Sequence, residues 1–220
     1  MPISTIAKKI KRYQADRKKI FATTSLQSHS LPLLHIISQI DNTIPVYFVN
    51  TGFHFAATLA FKKKVEKLLG IHIRSIVPTV SKHLQKDANG GFYFTSDPDL
   101  CCHINKVEPL RRMSIQYDIW ISGVRSDQNA NRKRFKEEAI TPEGILRYHP
   151  MLKWTEKMVW DYIITHKLPQ HPLEAEGYLS VGCMPCTRQF STKGDANGRN
   201  GRWKGLNKTE CGLHTTLLLK

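Results

Sequence analysis

The sequence predicts an α/β protein with a parallel sheet and an irregular C-terminal segment. Short continuous apolar runs, typical of strands buried on both faces, alternate with segments of helical apolar spacing. After about residue 167 the apolar periodicity is weak and glycines recur, which indicates irregular structure. With 40% hydrophobic and 23% charged residues, the 220-residue chain has an ordinary globular composition. We expect one structural domain, made of a core over 1–166 and a C-terminal segment over 167–220.

Each element is predicted from its local pattern. Leu31–Ile40 is apolar enough for a buried helix, and Ser30 is placed to cap it. Another helix has apolar residues at i, i+4, i+7 and i+8 spacing, namely Phe61, Val65, Leu68 and Leu69. In chain order the predicted elements are a basic helix over 4–19, a strand over 20–23, the helix over 31–40, a strand over 45–49, the helix through Phe61, strands over 71–77 and 119–122, and a helix around 155–166.

Three polar segments, 24–30, 50–55 and 123–128, directly follow predicted strands. The carboxyl ends of parallel strands lie at one edge of a sheet, and ligands of open α/β sheets bind beyond that edge. We therefore expect the three segments to form one cleft.

The loop over 24–30 offers hydroxyl groups and a carboxamide at the start of a helix, where backbone N–H groups and the helix dipole favour phosphate or sulfate. The loop lacks the GxxxxGK[ST] pattern and the Ser-Gly-Gly-x-Asp-Ser pattern of pyrophosphatases that cleave ATP. An adenylating enzyme is therefore disfavoured, and a merely polar loop is the alternative to an anion site. The candidate anion-binding side chains are Ser25, Gln27, Ser28 and Ser30.

The chain carries 33 Lys and Arg against 18 Asp and Glu, a net charge of +15 that attracts anions. Nucleic acid, a phosphorylated small molecule and an acidic protein all fit this charge, but the basic residues are spread along the chain, which disfavours dedicated nucleic-acid binding. Arg125, Arg199 and Arg202 are suited to bidentate binding of phosphate or sulfate, with surface salt bridges as the alternative. The basic run 132–134 is interpreted as a solvated loop.

The longest apolar runs are far shorter than the ~20 residues of a membrane-spanning helix. The basic N-terminus is not followed by a signal-peptide pattern. We therefore expect no membrane association and a cytoplasmic location, and a homo-oligomer is compatible with the sequence. In a reducing cytoplasm the five cysteines are expected to be metal ligands or catalytic thiols.

Four of the five cysteines form two close pairs, Cys101-Cys102 and Cys183-x-x-Cys186. Together they offer enough thiolates for an iron–sulfur cluster or for a zinc ion held by cysteine alone. Adjacent ligands strain a tetrahedral zinc site, whereas a cluster spreads its thiolates over several iron atoms, so the spacing favours iron. Zinc and unrelated buried or redox-active thiols are the alternatives.

Cys211 is the fifth cysteine, and it lies between Lys208 and His214 near the end of the chain. A thiol must ionise to act as a nucleophile, and neighbouring cations lower its pKa. Cys211 is therefore a candidate nucleophile, with an incidental thiol as the alternative.

Four motifs in this order resemble those of the assimilatory sulfonucleotide reductases, which reduce adenylyl sulfate or its 3′-phosphorylated form to sulfite. Weaker similarity extends from about residue 20 to 214. The motifs are residues 101–110 (CCHINKVEPL), 122–128 (SGVRSDQ), 177–188 (GYLSVGCMPCTR), and 201–203 (GRW) followed by 210–214 (ECGLH).

This resemblance implies an adenine-nucleotide α-hydrolase-like fold, with the nucleotide over the strand ends and the tail closing on it. The paired cysteines are similar to those of the branch that carries a [4Fe–4S] cluster, which is associated mainly with adenylyl-sulfate reduction. On this resemblance Cys101, Cys102, Cys183 and Cys186 would be the cluster ligands, and Lys106 would lie between cluster and substrate. The residues that would hold the phosphosulfate are Arg125, Arg199, Arg202 and His214.

The resemblance also implies the reaction, which would serve sulfate assimilation and cysteine biosynthesis. The Cys211 thiolate would attack the sulfate sulfur, expel AMP and form an S-sulfocysteine, from which thioredoxin or a related dithiol would release sulfite. Positioned cations would stabilise the leaving group, and glycines around Cys211 suit a tail that closes for the first step and opens for the second.

The chain departs from the family in one strand-end loop. The family usually has Asp-Thr-Gly followed by Glu-Thr, where this chain has Asn50-Thr51-Gly52 and Ala57-Thr58. Loss of both carboxylates alters the ribose and adenine contacts expected of this loop. We expect adenylyl sulfate as substrate, with phosphoadenylyl sulfate or both as the first alternative and a zinc-bearing nucleic-acid-binding module as the second.

Overall fold

The fold is seen in a computed structural model that describes residues 3–189, 201–203, 210 and 212–214. Within these residues a sheet is built from β1 (Ile20–Thr24), β2 (Val46–Val49), β3 (Ile73–Ile76), β4 (Ile119–Ser122), β5 (Glu138–Ile140) and β6 (Leu146–Tyr148). The helices are α1 (Ile3–Ala15), α2 (Leu31–Ile40), α3 (Ala56–Leu69), α4 (Tyr93–Ser96), α5 (Pro98–Cys102), α6 (Glu108–Ser114) and α7 (Glu156–Thr165), and a π-helical segment (His103–Val107) joins α5 to α6.

The strand order is β3-β2-β1-β4-β6-β5, and every neighbouring pair is parallel except β5 with β6. The predicted α/β class with a parallel sheet is therefore confirmed. The chain runs outward from β1 to β2 and β3, and then returns to place β4 on the other side of β1. This reversal creates a crevice beyond the carboxyl ends of β1 and β4, where open α/β sheets bind ligands.

Both faces of the sheet are covered, which explains the continuous apolar character of the central strands. One face packs side chains of β1, β2 and β4 against α1, α2, α3 and α7 in the larger core cluster. On the other face, Phe21, Tyr47 and Trp120 pack against Val107 of the π-helical segment and Leu110 of α6. The second face thus ties the helix that carries Cys101 and Cys102 to the sheet.

The predictions of α2 and β4 agree with the structure residue by residue. The basic helix predicted over 4–19 is too long, because the chain leaves α1 after Ala15 and Arg17 adopts a left-handed conformation with φ 54°. Leu68, one of the apolar positions of the predicted helix, is 53% exposed. Ser30 makes no side-chain cap for α2, because its hydroxyl donates to the carbonyl of Gln27 at 2.7 Å. The sequence patterns did not predict β5, β6 or α4–α6.

The C-terminal segment from residue 167 to 189 contains only short 3-10 turns, at Pro172–Glu174 and Met184–Cys186. This irregular structure agrees with the expectation for that part of the chain. The division at residue 166 stays a prediction. None of the described helices is both long and apolar enough to span a lipid bilayer.

Candidate active site

Four buried thiols line one pocket near the carboxyl ends of the strands. Cys101 and Cys102 come from the last residues of α5, and Cys183 and Cys186 flank a 3-10 turn in the C-terminal segment. Their polar neighbours in the wall are Asn105 and Lys106, and the apolar part is formed by Phe53, Phe94, Pro98 and Pro185. The structure therefore brings together the two cysteine pairs that are about 80 positions apart in the sequence.

Three polar side chains approach three of the thiols. The Thr51 hydroxyl lies 3.2 Å from Cys183 Sγ, Asn105 Nδ2 lies 3.6 Å from Cys101 Sγ, and Lys106 Nζ lies 4.0 Å from Cys102 Sγ. These groups can donate hydrogen bonds to thiolate sulfur. The pocket walls are thus mostly apolar, and hydrogen-bond donors lie beside three of the four sulfur atoms.

Burial raises the pKa of Cys101 to about 12, and the charges of the other three thiols act in the same direction. Burial also raises the pKa of Cys186, and the charge of Cys183 raises it further. The positive charges of Lys106 and Arg202 lower this pKa. Four thiolates can coexist here only if cations compensate their mutual repulsion.

The Cys183-x-x-Cys186 turn is held against the loop that follows β2. Met184 N donates to the carbonyl of Phe53 at 2.7 Å, and His54 forms an isolated antiparallel bridge with Cys183. The loop after β2 and the C-terminal segment therefore meet at the thiols.

Arg202 packs against the same turn, with its Nε donating to the carbonyl of Cys186 at 3.2 Å. Its guanidinium occupies the space beside Gly182, where an added Cβ would lie only 2.3 Å from Nη2. The Arg202 Cζ also lies 4.6 Å from the centre of the Trp203 ring. Gly182 is therefore required for the close approach of this guanidinium to the thiol pocket.

The loop over 24–30 uses most of its polar groups for internal and tail contacts. Gln27 Oε1 accepts from Val181 N at 3.1 Å and from the Ser180 hydroxyl at 3.3 Å. Ser28 is fully buried, and its Oγ accepts from His171 N at 2.8 Å, so its hydroxyl does not face solvent in this conformation. Ser30 bonds within the loop, and Ser25 is the exposed hydroxyl of the four predicted residues. Their roles as substrate ligands stay predictions.

Arg125 follows β4 and is 4% exposed. Its Nε donates to Asp127 Oδ1 at 2.9 Å, whereas its buried Nη1 has no hydrogen-bond partner among the described residues. Burial lowers the pKa of His29. The positive charge of Arg125 lowers it further, because the loops that follow β1 and β4 lie side by side. This guanidinium therefore retains a donor for an anion at the crevice.

Sequence reasoning missed a second buried arginine in this region. Arg132 was interpreted as part of a solvated loop, but its side chain is 6% exposed and forms a bidentate ion pair with Glu210, whose side chain is 1% exposed. Lys133 and Arg134 are exposed, as expected. The local basic run could not reveal a partner 78 positions away.

Three predicted site residues lie outside the part of the chain that the structure describes. They are Cys211, Arg199 and, for its side chain, His214.

A solved structure with a similar fold is the phosphoadenylyl-sulfate (PAPS) reductase from Candida auris in its phosphate complex. It aligns with a TM-score of 0.65 over 83% of this chain and 94% of that chain, at 20% identity. Fold and site together define a protein of the adenine-nucleotide α-hydrolase-like class with a thiol-rich pocket at the strand ends.

The chain belongs to the phosphoadenosine phosphosulfate reductase family, because the phosphoadenosine phosphosulfate reductase domain matches residues 19–189. The adenosine 5'-phosphosulfate reductase of Chelativorans sp. (strain BNC1) is 36% identical over 90% of this chain and 80% of its own length. The phosphoadenosine 5'-phosphosulfate reductase of Gloeobacter violaceus is 35% identical over 89% of this chain and 82% of its own length. Family membership decides for the reductase over the zinc-bearing nucleic-acid-binding module.

Proposed function

We propose that this chain reduces adenylyl sulfate to sulfite and AMP in sulfate assimilation. The observation that carries the proposal is the pocket in which four thiols meet Lys106, with Arg202 bonded to the carbonyl of Cys186, near the carboxyl ends of the strands. Support also comes from the Chelativorans relative, which is named as a reductase of this substrate.

The proposed reaction has two steps that balance in atoms and electrons. The thiolate of Cys211 attacks the sulfate sulfur, an S–S bond forms, and the bond from sulfur to the phosphate oxygen breaks, so AMP leaves with the electron pair. A dithiol reductant, for which we propose thioredoxin, then attacks Cys211 Sγ and expels sulfite. Its second thiol resolves the mixed disulfide, so the reductant supplies two electrons and Cys211 is restored.

Cationic side chains of the site would stabilise the charge that develops on the leaving phosphate. Arg125 contributes its Nη1, which has no hydrogen-bond partner within the described part of the chain, and Lys106 and Arg202 place positive charge on the pocket side. We assign the same role to Arg199 and His214 on the resemblance alone. A bidentate guanidinium suits both phosphate and sulfate oxygens.

We propose that Cys101, Cys102, Cys183 and Cys186 hold a [4Fe–4S] cluster, since its four irons each take one thiolate. The donor set fits: the four thiols share one pocket, and iron cations would offset the burial and the mutual repulsion that raise the pKa of Cys101. Among the described residues, no group of three His, Cys, Asp or Glu side chains is arranged to hold a single metal ion. When bound, the cationic core of the cluster would offset part of the negative charge of the four thiolates. A reducing cytoplasm would keep these thiols available.

Phosphoadenylyl sulfate is the second candidate substrate, because the loop after β2 carries no carboxylate toward a 3′-phosphate. Asn50 Oδ1 accepts from Gly52 N at 3.1 Å, and Lys82 Nζ donates to the Gly52 carbonyl at 3.0 Å. This loop therefore presents an amide and an ammonium group. The ratio of kcat/KM for the two substrates, measured with thioredoxin, decides between them, and a strong preference for the phosphorylated form would overturn our choice.

The test of the proposed function is mass spectrometry of the purified, anaerobically handled enzyme after adenylyl sulfate is added without reductant. We expect an SO3 adduct on the peptide that contains Cys211, and its release as sulfite when thioredoxin is added. The Cys211→Ser variant should keep its iron but form no adduct. Sulfite production by that variant would remove the proposed nucleophile.

A further inference from the structure

A buried ion pair fixes the residue that precedes Cys211 in the chain. Arg132 Nε donates to Glu210 Oε2 at 2.7 Å, and Arg132 Nη2 donates to Glu210 Oε1 at 3.0 Å. Asn129 Nδ2 adds a third hydrogen bond to Glu210 Oε2 at 2.7 Å. Because both charged side chains are almost completely buried, this contact is a specific docking point.

The residues that follow Cys211 are docked as well. Arg147, which is fully buried in β6, donates from Nη1 to the carbonyl of Leu213 at 3.1 Å. At Gly212 an added Cβ would lie 3.1 Å from Val107 Cγ2 and 3.6 Å from Cys102 Cβ, so the backbone lies against the helix that carries two of the thiols. The chain is therefore held on both sides of residue 211.

The same network reaches the loop of Arg125. The carboxamide oxygen of Gln128 accepts from Arg125 N at 3.1 Å and also from Arg132 Nη1. The backbone of Arg125 and the carboxylate of Glu210 are thus linked through two side chains of one short segment.

Buried ion pairs contribute little net stability, because desolvation offsets their Coulomb attraction, and their best-attested use is to specify one arrangement. We propose that Arg132 and Asn129 are positioning residues that hold Glu210, and thereby present Cys211 to a sulfonucleotide in register with Arg125. This inference rests on the proposed role of Cys211. Within the basic run 132–134, the inference assigns a function to Arg132 only.

The test compares Arg132→Gln and Glu210→Gln with the control Arg134→Gln, which removes the same positive charge as Arg132→Gln at an exposed neighbour. Hydrogen exchange of the peptide covering 210–214 should become about tenfold faster in the first two variants, since each loses charge-assisted hydrogen bonds. The double variant should exchange no faster than the faster single variant, because both substitutions break one interaction. Exchange equal to that of wild type in both single variants would overturn the inference.

A second measurement separates positioning from a general structural role. In single-turnover experiments the rate of SO3-adduct formation should fall about tenfold or more in Glu210→Gln, while the dissociation constant for AMP stays close to that of Arg134→Gln. An unchanged adduct rate would overturn the inference. If wild type forms no adduct, the proposed function fails, and the exchange experiment still decides whether Arg132 holds the segment. Should Arg132→Gln fold poorly, Asn129→Ala provides the second variant.

Discussion

At the scale of single residues, we predict from the thiol pocket that loss of one of its cysteines lowers the iron content of the protein. Cys183→Ser should lower iron and acid-labile sulfide sharply, because an alcohol is a poor replacement for a thiolate ligand and a structural metal site contributes to folding. The measurement is iron per chain after anaerobic reconstitution, together with the thermal unfolding midpoint. Met184→Leu, at an exposed neighbour within the same turn, is the control. Undiminished iron in Cys183→Ser would refute the ligand assignment.

A second residue-scale prediction concerns Gly182. Its substitution by alanine should displace the Arg202 guanidinium, since the new Cβ would lie 2.3 Å from Nη2. We expect KM for the sulfonucleotide to rise about tenfold, as for the loss of one charged contact, with little change in the unfolding midpoint. Steady-state kinetics of Gly182→Ala, Arg202→Ala and the double variant check this. Additive effects in the double variant would show that Gly182 acts independently of Arg202.

The structure brings the two cysteine pairs of the sequence into one pocket, and their role as ligands stays a prediction. The ion pair of Arg132 was not predicted. The spacing of cysteines is local information, and the carboxyl ends of parallel strands bring separate loops together. The partner of Arg132, in contrast, is a single glutamate in a segment without apolar periodicity. A basic run gives no indication of which of its members turns inward.

At the scale of elements, α5 depends on its N-cap. Asp97 accepts a hydrogen bond from Leu100 N at 2.9 Å and thereby caps a helix of five residues that carries Cys101 and Cys102. Asp97→Ala should cost about 1 kcal/mol of stability and should accelerate loss of iron to a chelator. Asp97→Asn retains an acceptor oxygen and should behave nearly as wild type. Equal chelation rates in Asp97→Ala and wild type would contradict the idea that the cap organises this site.

Elements with strong periodicity were predicted, and short elements were not. The central strands contain continuous apolar runs and α3 has a clear helical pattern. β5 and β6 have three residues each, and Arg147 occupies a fully buried position that a hydropathy pattern assigns to the surface. Its guanidinium lies 3.9 Å from the centre of the Trp120 ring, so the aromatic face offers this buried charge a cation–π contact.

At the scale of the whole molecule, buried neutral histidines predict loss of stability in acid. Burial lowers the pKa of His149 to about 3 and that of His171 to about 4. Their unfolded-state pKa is about 6.5, so between these values the unfolded chain binds more protons. The stabilisation is therefore complete above about pH 6.5 and is lost as the pH falls through the folded-state values.

The measurement is the free energy of unfolding in urea at several pH values between 7.5 and 4.5. His171 accepts from Leu173 N through Nδ1 and contacts the Thr58 hydroxyl through Nε2, so the neutral tautomer with a proton on Nε2 fits both contacts. His171→Asn should remove ~1–3 kcal/mol of the pH-dependent change. An identical pH dependence in wild type and variant would exclude His171 as a contributor.

The π-helical segment His103–Val107 has a consequence for how this protein tolerates insertions and deletions. It joins α5, which ends in two thiols, to α6, whose Leu110 is anchored on the sheet. Each residue of an α-helix adds a rotation of about 100°, so deleting one residue here would swing the thiols out of the pocket while α6 stayed in place. Functional relatives should therefore keep the length of this segment.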